Sequence, residues 1–436
     1  MNICRLGPAL LAACCGHASA QSNPAEVTTP ATVVTAARFP ESAAEGAVNV
    51  TVIDAAQIAR SGATNVPDLL VQEAGIHTRD LYGNNAAGAA VDLRGFGAAA
   101  GQNTLILVDG RRLNDIDLSG VQWSSVPLSA IERIEIVRGS GAVQYGDGAT
   151  TGVINIITRS PAAAQYSASV RARAGSLDTR EFQAGGNVAE ESAGVALGAS
   201  YYQSDGYRDN NRNETGNAYL DARWLRERST LSFKAGADAE DLRLPGARMV
   251  QPSAGIDELA TDRRGTSTPL DFATRDGRRA VVELQHQAQR FDVNVGLGYR
   301  DKEQTSYFDF GGFPDYREVD LDVWSFTPRI RVPFGLGSAR AALVAGFDWY
   351  TWDYALRTSN AQANIGQPIN QVSADQENRA AYLRLTAQFT PETSATAGWR
   401  YERQSIEAQD GFDPTAPGAA FGSGALPGFQ TVSEPA

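Results

Sequence analysis

The sequence has little cysteine, and what it has is confined to its start. Its three cysteines are Cys4, Cys14 and Cys15, in a chain of 436 residues. The first 20 residues predict a signal peptide, because a charged start precedes a short apolar stretch and the A-x-A pattern at Ala18–Ala20. Cleavage there leaves an exported chain without disulfides, which needs a large hydrogen-bonded framework or core. A lipoprotein cleavage box at Leu11–Cys14 remains the alternative.

Long apolar runs and an excess of positive charge are also missing. No run approaches the roughly 18 apolar residues of a membrane helix, which excludes a helical membrane protein. The net charge of −12 supplies no basic face for nucleic acid. Lysine occurs only at Lys234 and Lys302, which by itself suggests codon bias. Beyond the signal peptide only His77 and His286 remain, so we expect neither a multi-histidine metal site nor an enzyme.

Residues 48–160 predict a compact α+β domain that follows a flexible segment, 21–47. Asp54 with Gln57 predicts a capping box, and Asn65 predicts the start of a second helix. Asp109-Gly110 between two apolar runs predicts a two-residue hairpin. Ser129 with Glu132 predicts a further capping box before a strand.

Residues 161–436 change to a period of two, with one apolar and one polar face. Phe291 to Tyr299 is typical, since its odd positions are all apolar. We predict about eleven such strands, at 166–174, 181–189, 193–203, 217–227, 230–240, 278–289, 291–301, 321–332, 340–352, 379–390 and 394–405. Alternation alone fits a soluble sandwich as well as a membrane barrel.

The loops favour the membrane barrel, because their lengths alternate between short and long. The short ones are 190–192, 228–229, 290, 333–339 and 391–393, and the long ones are 204–216, 241–277, 302–320 and 353–378. Membrane barrels have short periplasmic turns and long external loops. Aromatic residues near strand ends fit an interfacial girdle, namely Tyr201, Trp224, Tyr299, Trp349, Trp352, Trp399 and Tyr401. We see no closing strand in 406–436, so we expect the chain to be part of a longer protein.

Several long motifs in this order resemble the TonB-dependent outer-membrane receptor family. They are the Arg-Gly stretch Leu93–Gly97, the hairpin Leu105–Asn114, the segment Ile131–Ser140 and the strand Gly152–Thr158. The resemblance implies an α+β plug domain inside an antiparallel transmembrane β-barrel. Family barrels have about 22 strands, of which about eleven are present here.

The resemblance also implies a location and a partner. The pentapeptide Thr32, Val33, Val34, Thr35 and Ala36 looks like the TonB box, which would join TonB of the inner membrane by strand addition. Arg94 and Arg138 resemble plug arginines that lock the plug to barrel glutamates. The expected protein is a monomer in the outer membrane of a Gram-negative cell, with no nucleic-acid partner.

The expected function is energised import of a large scarce nutrient, and a ferric siderophore is the first candidate. Cobalamin is the alternative ligand, and a passive porin or adhesin is the alternative class of protein. Candidate ligand contacts in the plug and external loops are Tyr82, Asn84, Asn85, Gln102, Asp117, Gln122, Trp123, Tyr307, Phe310 and Phe313. External arginines such as Arg243, Arg248, Arg263 and Arg264 would add charge and stacking. A solvated loop or a lipid girdle is the alternative role for each of these residues.

We expect no permanent cofactor, because the ferric chelate would be cargo. One acidic loop, with Asp205, Asp209 and Glu214, carries oxygen ligands that calcium could use. Its spacing matches no EF-hand, so a solvated loop is the simpler interpretation.

Overall fold

In the computed structural model, an α+β domain lies against one face of a long antiparallel sheet. The structure describes residues 32–33, 39, 41–42, 49–80, 83–117, 120–139, 141–161, 166–309, 311–337, 339–390, 393–419 and 430–435. Within these ranges, no helix has both the length and the apolar character needed to cross a membrane.

Among the residues described before Ala162, there are nine strands and four short α-helices. They are β1 Thr32–Val33, β2 Glu41–Ser42, β3 Asn49–Asp54, α1 Ala55–Arg60, α2 Val66–Leu70, β4 His77–Arg79, β5 Ala90–Asp92, α3 Ala100–Asn103, β6 Thr104–Val108, β7 Arg111–Arg112, β8 Ile131–Arg138, α4 Ala142–Tyr145 and β9 Gly152–Thr158. The signal-peptide prediction and the box residues Val34, Thr35 and Ala36 fall outside the described residues. Thr32 and Val33 form β1, which pairs antiparallel with β2.

The plug, as we call residues 49–161, is built on a five-stranded sheet of order β3-β8-β9-β6-β7. β6 and β9 run parallel to each other, and every residue of β6 is buried. The apolar side chains of this sheet pack against α2 and form one core with Leu70, Ile106, Ile134 and Ile154 at its centre. The plug therefore has a hydrophobic core of its own.

The predicted helix caps of the plug are confirmed at two places and wrong at a third. Asp54 and Gln57 bond to each other's backbone N–H groups, and Asn65 accepts from the N–H of Asp68. Ser129 caps no helix, since it lies inside a 3-10 turn, Leu128–Ala130, that begins after Pro127. The Ser-x-x-Glu spacing occurs there within a turn that leads directly into β8, so no helix follows for it to cap.

The second unit is a sheet of 13 strands with a small external hairpin and helix. Its elements are β10 Tyr166–Ala174, β11 Arg180–Ala189, β12 Ala193–Ser204, β13 Asn213–Arg226, β14 Ser229–Arg243, β15 Val250–Gln251, β16 Ile256–Asp257, α5 Glu258–Thr261, β17 Phe272–Gln287, β18 Asp292–Asp309, β19 Pro314–Phe326, β20 Arg329–Leu336, β21 Ala339–Ser359, β22 Asn370–Thr390, β23 Thr393–Phe412 and β24 Gln430–Pro435. β15 and β16 pair only with each other. We call the other 13 strands the barrel sheet.

The predicted transmembrane-barrel fold class is confirmed, with three corrections to the strands. The predicted strand 321–332 is two strands, β19 and β20, which separate before Pro328, a residue without a backbone N–H donor. β24 pairs with β23 in a region where we predicted no strand. The predicted long loops are shorter, because strands such as β18 continue through polar residues to Asp309. In β18 the extension begins with Lys302–Ser306, which are polar on both faces, so hydrophobic alternation does not mark it.

Alternation sorts the barrel sheet into an outer face and a face that meets the plug. Val282, Leu284 and Leu297 are exposed on the outer face, whereas their neighbours Glu283 and Asn294 bond to each other on the inner face. The aromatic pair Trp399 and Tyr401 also lies outside. Trp352 is an exception to the predicted girdle, because it points inward and packs near Ile116 of the plug.

Candidate functional site at the plug–barrel interface

The β6–β7 hairpin brings a plug carboxylate to the barrel wall. Asp109 and Gly110 have φ angles of +50° and +78°, the left-handed backbone that a tight two-residue hairpin requires. The Asp109 carboxylate accepts from the N–H and the hydroxyl of Thr158 at 3.0 and 2.7 Å. Lys234 of β14 places its Nζ 2.8 Å from the same carboxylate. The hairpin turn is thereby bonded both to the plug and to the barrel sheet.

The ion pair at Asp109 is strong enough to overcome burial. Burial raises the pKa of a carboxyl group, but the Lys234 ammonium and the hydrogen bonds from Lys234 and Thr158 lower the pKa of Asp109 to about 2. Lys234 also lies 3.5 Å from Asp221 of β13. Asp109 is therefore ionised at neutral pH, and it holds the hairpin in place by charge.

A second buried ion pair follows the hairpin. Asp115 lies 2.5 Å from Arg300 and 2.7 Å from Lys302, both on β18, and Asp117 lies 3.2 Å from Lys302. Burial opposes ionisation of Asp115, yet the two cations keep its pKa below the ordinary value. Both lysines of the chain thus reach from the barrel sheet to plug aspartates, although composition alone suggested codon bias.

Arg111 extends from β7 to the barrel wall at a place where two glycines, Gly296 and Gly298, face the plug. Its Nη1 lies 3.6 Å from Glu283 of β17. A Cβ atom at Gly296 or Gly298 would collide with its guanidinium group, so these two glycines make the room it occupies. Arg329 lies 3.8 Å from Glu283 on the side of the barrel sheet.

Hydrogen bonds without an ion pair hold the part of the plug nearer the long loops. The Asn84 amide donates to the carbonyls of Asn211 and Ser204 at 2.5 and 3.3 Å. Gln122 Nε2 and Ser124 Oγ donate to Asp238 of β14 at 2.6 and 3.2 Å. These plug loops are bonded to β12, to β14 and to the loop that joins β12 to β13, near the ends of the strands at which the long loops begin.

The opposite side of the plug meets β23. Val143 of α4 packs over Gly398, where a Cβ atom would come within 2.6 Å of it. Arg400 donates to the carbonyl of Gln144 at 3.4 Å and pairs with Asp348 at 2.9 Å. The barrel sheet therefore holds the plug from β12 to β23.

The N-terminal segment touches the barrel sheet through Phe39. Its buried side chain packs with Val344 and Tyr382, and the Arg329 guanidinium lies 5.8 Å from its ring centre. These partners lie toward the short-turn end of the strands, the end at which β20 and β21 are joined. Phe39 is thus docked at the end opposite to the long loops.

The two arginines predicted to lock the plug take different positions. Arg138 donates to the Thr51 hydroxyl and, at 3.0 Å, to the Ala74 carbonyl, both within the plug. Arg94 is exposed, and its backbone N–H donates to Asp92. Within the described ranges neither has an ion pair with the barrel sheet, so their locking role stays a prediction.

Some of the predicted ligand contacts are bonded to the barrel sheet or within the plug, and others are exposed to solvent. Asn84, Gln122 and Asp117 bond to the barrel sheet, as described above. Trp123 is buried and donates to the Ala89 carbonyl at 2.7 Å, and Asn85 accepts from Asn65 at 3.2 Å. Gln102 and Phe313 are exposed.

The remaining predicted contacts lie away from the plug or cannot be described. Tyr307 stacks on Phe272 at 6.3 Å, on the side of β18 opposite to Phe308. Phe308 packs beside Ala87 of the plug, so Tyr307 lies on the outer side of the strand. Tyr82 and Phe310 fall outside the described residues. A ligand role for these residues stays a prediction.

The acidic loop shows protein partners for one of its three predicted calcium ligands. Glu214 accepts from Tyr201 at 2.8 Å and pairs with Arg212. Asp205 and Asp209 are exposed. A search of the described residues finds no group of three or more His, Cys, Asp or Glu side chains placed to hold a metal ion.

Sequence reasoning missed the residues that join the two units. Asp109 was seen as a turn residue, while Lys234 lies 125 positions away on a strand with no turn or motif signal. The sequence offered one usable signal, namely that only two of its 38 positive residues are lysines, Lys234 and Lys302. Because Lys234 lies in a predicted strand and Lys302 directly follows one, both could have been tested as ion-pair partners of plug carboxylates.

Comparison with known proteins identifies the plug. The TonB-dependent receptor plug domain family matches residues 42–153. The vitamin B12 transporter BtuB of Vibrio vulnificus is 34% identical over 176 residues, which cover 40% of this chain and 28% of that protein. The probable TonB-dependent siderophore receptor PirA of Acinetobacter baumannii is 41% identical over 95 residues, 18% of this chain and 12% of that protein.

A solved structure matches most of the chain. The ferric citrate transporter FecA in its unliganded form superimposes with a TM-score of 0.73 at 19% identity, over 90% of this chain and 59% of that one. At this identity the match shows a shared fold. The chain matches about a quarter of the length of the B12 transporter and somewhat over half of the FecA chain. These relatives are transporters and receptors, which confirms the prediction that the chain is not an enzyme.

Proposed function

We propose that this chain, whose plug matches that of TonB-dependent receptors of the outer membrane, serves energised import of a large, scarce nutrient. The observation that carries this proposal is the attachment of the β6–β7 hairpin and the segment after it to the barrel sheet by buried ion pairs. Two buried ion pairs, at Asp109 and Asp115, hold the plug across the inner face of the barrel sheet. A solute passing along that face has to wait until these pairs open.

Opening such pairs requires work from elsewhere. Removing one partner of a buried ion pair costs about 3–5 kcal/mol, so thermal motion rarely separates several pairs together. The outer membrane has no ATP, and the energy would come from the inner membrane through TonB. The TonB-box pentapeptide that begins with Thr32 and Val33 suits this contact, because β1 pairs over only two residues and could exchange its partner for another strand.

A proline in the box tests this coupling. Val34→Pro removes a backbone donor that strand addition needs, so import should fall to background while the amount of receptor in the outer membrane is unchanged. Thr28→Pro, upstream of the box, is the matched control and should import normally. Import that persists in the Val34→Pro variant would contradict the energised mechanism and favour a passive porin or adhesin.

For the nutrient we propose a ferric siderophore. An exposed pair in the long loops, Arg264 with its guanidinium 5.6 Å from the Tyr207 ring centre, offers the charge and the stacking surface that an anionic chelate requires. Arg248 is less suited, because Glu258 and Asp262 already neutralise it. The siderophore-receptor relative PirA supports the same ligand class.

Cobalamin is the second candidate, and the 34% identity with the B12 transporter BtuB favours it. The abundance of the receptor in outer membranes from iron-starved and iron-replete cells separates the two. A large rise on iron starvation supports the chelate, and no change supports cobalamin.

A binding panel then tests the loop site with purified receptor. Arg264→Ala should weaken binding of an anionic ferric chelate at least about threefold, whereas Arg263→Ala, its exposed neighbour, should leave it unchanged. Equal binding by both variants would remove this pair from the ligand site.

A further inference from the structure

A small cavity lies between the plug hairpin and the barrel wall. Its volume is about 60 Å³, and its walls come from β6, β7 and the hairpin turn on one side and from β14, β17, β18, β19 and β21 on the other. Several waters or one small polyatomic ion would fit in this space. Its charged lining residues are Asp109, Arg111, Arg112, Lys234, Arg279 and Arg300. Five cations thus surround a space that a single carboxylate borders.

Carboxylates pair with three of these five cations. Lys234 pairs with Asp109 and lies 3.5 Å from Asp221, Arg300 pairs with Asp115, and Arg111 lies 3.6 Å from Glu283. Arg112 donates to the carbonyl of Tyr145 at 2.6 Å. Arg279 has no ion pair within 4.0 Å among the residues that the structure describes.

Two guanidinium donors at this cavity also lack protein acceptors. Arg111 Nε and Arg279 Nη1 are both shielded from solvent, and neither has a hydrogen-bond partner within the described ranges. A buried N–H of a charged group is costly to leave unpaired, so such donors normally bond to an acceptor. An acceptor that also carries negative charge would satisfy both deficits together.

We propose that this cavity binds a small inorganic oxyanion of the phosphate or sulfate class. Tetrahedral oxyanions accept several hydrogen bonds, and guanidinium groups match their geometry. Arg111 from the plug and Arg279 from β17 donate to the same ion, and the hydroxyl of Ser325 lines the cavity beside them. The ion thereby joins plug to barrel sheet as a further charged contact, whatever nutrient the receptor imports.

Direct binding of radiolabelled inorganic phosphate tests the proposal, with receptor purified in detergent and dialysed free of phosphate. We expect saturable binding of about one ion per chain, which excess unlabelled sulfate displaces. Arg279→Gln should weaken it more than tenfold. Arg278→Gln is the matched control, because Arg278 is the exposed neighbour on the same strand, and it should bind as the unmodified chain does.

A second variant covers the case in which Arg279→Gln fails to fold. Ser325→Asp places a carboxylate in the cavity, so phosphate binding should be lost while the midpoint of thermal unfolding in phosphate-free buffer stays the same or rises. The proposal is overturned if the unmodified receptor shows no saturable binding. It is overturned equally if Arg279→Gln or Ser325→Asp binds as tightly as the Arg278→Gln control.

Discussion

The core of the plug and its outer surface are stabilised by different forces. Inside, Leu70, Ile106, Ile134 and Ile154 are almost completely buried among other apolar side chains. At its boundary with the barrel sheet, charges such as Asp109 and Lys234 and polar groups such as Asn84 dominate. Apolar contacts hold the plug together, whereas its boundary combines ion pairs and hydrogen bonds with smaller apolar clusters, such as those at Ala87 and Ile116. We therefore expect the plug to keep its own structure when contacts at this boundary are broken.

A cavity in the core should have the largest effect. Ile154→Ala removes a fully buried side chain from β9, so the free energy of unfolding of the plug should fall by about 2–5 kcal/mol. Hydrogen exchange of peptides from β8 and β9 measures this loss. Val71→Ala, at an exposed position in the plug, should change it by less than about 0.5 kcal/mol. Similar exchange in both variants would contradict an independent plug core.

Removing one interfacial cation should loosen the boundary but spare the core. Lys234→Met leaves Asp109 with Thr158 as its remaining partner, which should cost about 3 kcal/mol. Exchange of the β6–β7 hairpin should accelerate while β8 and β9 stay slow. The double variant Lys234→Met/Asp109→Asn should recover part of the loss. Equal acceleration throughout the plug would show that core and boundary are one cooperative unit.

Acid should act on the boundary in the same direction. The pKa of Asp109 is about 2 in the folded protein and 3.8 for the free group. Because the folded value is the lower one, its stabilisation is complete above pH of about 4 and is lost as the pH falls toward 2, by about 2 kcal/mol in all. Proteolysis of the hairpin at graded pH, with Asp109→Asn as the control, measures this. An identical acid profile in the Asp109→Asn variant would show that other groups are responsible.

An exposed ion pair should contribute least. Arg180 and Asp178 lie 2.7 Å apart, but both are well exposed at the first external hairpin. Arg180→Ala should change the free energy of unfolding by no more than about 0.5 kcal/mol, because solvent screens the pair. Thermal unfolding at low and high salt checks this. A loss as large as that of Lys234→Met would mean that burial does not distinguish the two kinds of pair.

Local features of the fold could be predicted from the sequence because local rules govern them. Asp109-Gly110 adopts the left-handed backbone that its residue types favour, and Asp54 with Gln57 forms the predicted capping box. Alternation identified the membrane strands, since one face of each is apolar. It failed where β18 continues through Lys302–Ser306, which are polar on both faces, and at Trp352, whose residue type fits either face.

The candidate site could be predicted only in outline. The resemblance indicated the hairpin and the plug loops, but three of the plug residues chosen as ligand contacts, Asn84, Asp117 and Gln122, bond to the barrel sheet instead. Asn84, Gln122 and Trp123 are buried, which residue type alone does not reveal. The pairing of Asp115 with Lys302 depends on how a plug loop meets a strand 187 positions later, and no local rule fixes that distance.

The alternating faces of the barrel sheet also limit how its length can change. Inserting a single residue within β17 would exchange the two faces for everything beyond it in that strand, placing Glu283 toward lipid and Leu284 toward the plug. Deletions of one residue would do the same. Insertions in the segment between β14 and β17 leave the register untouched. Related sequences should therefore differ in length mainly between strands, and within strands by even numbers of residues or at bulges.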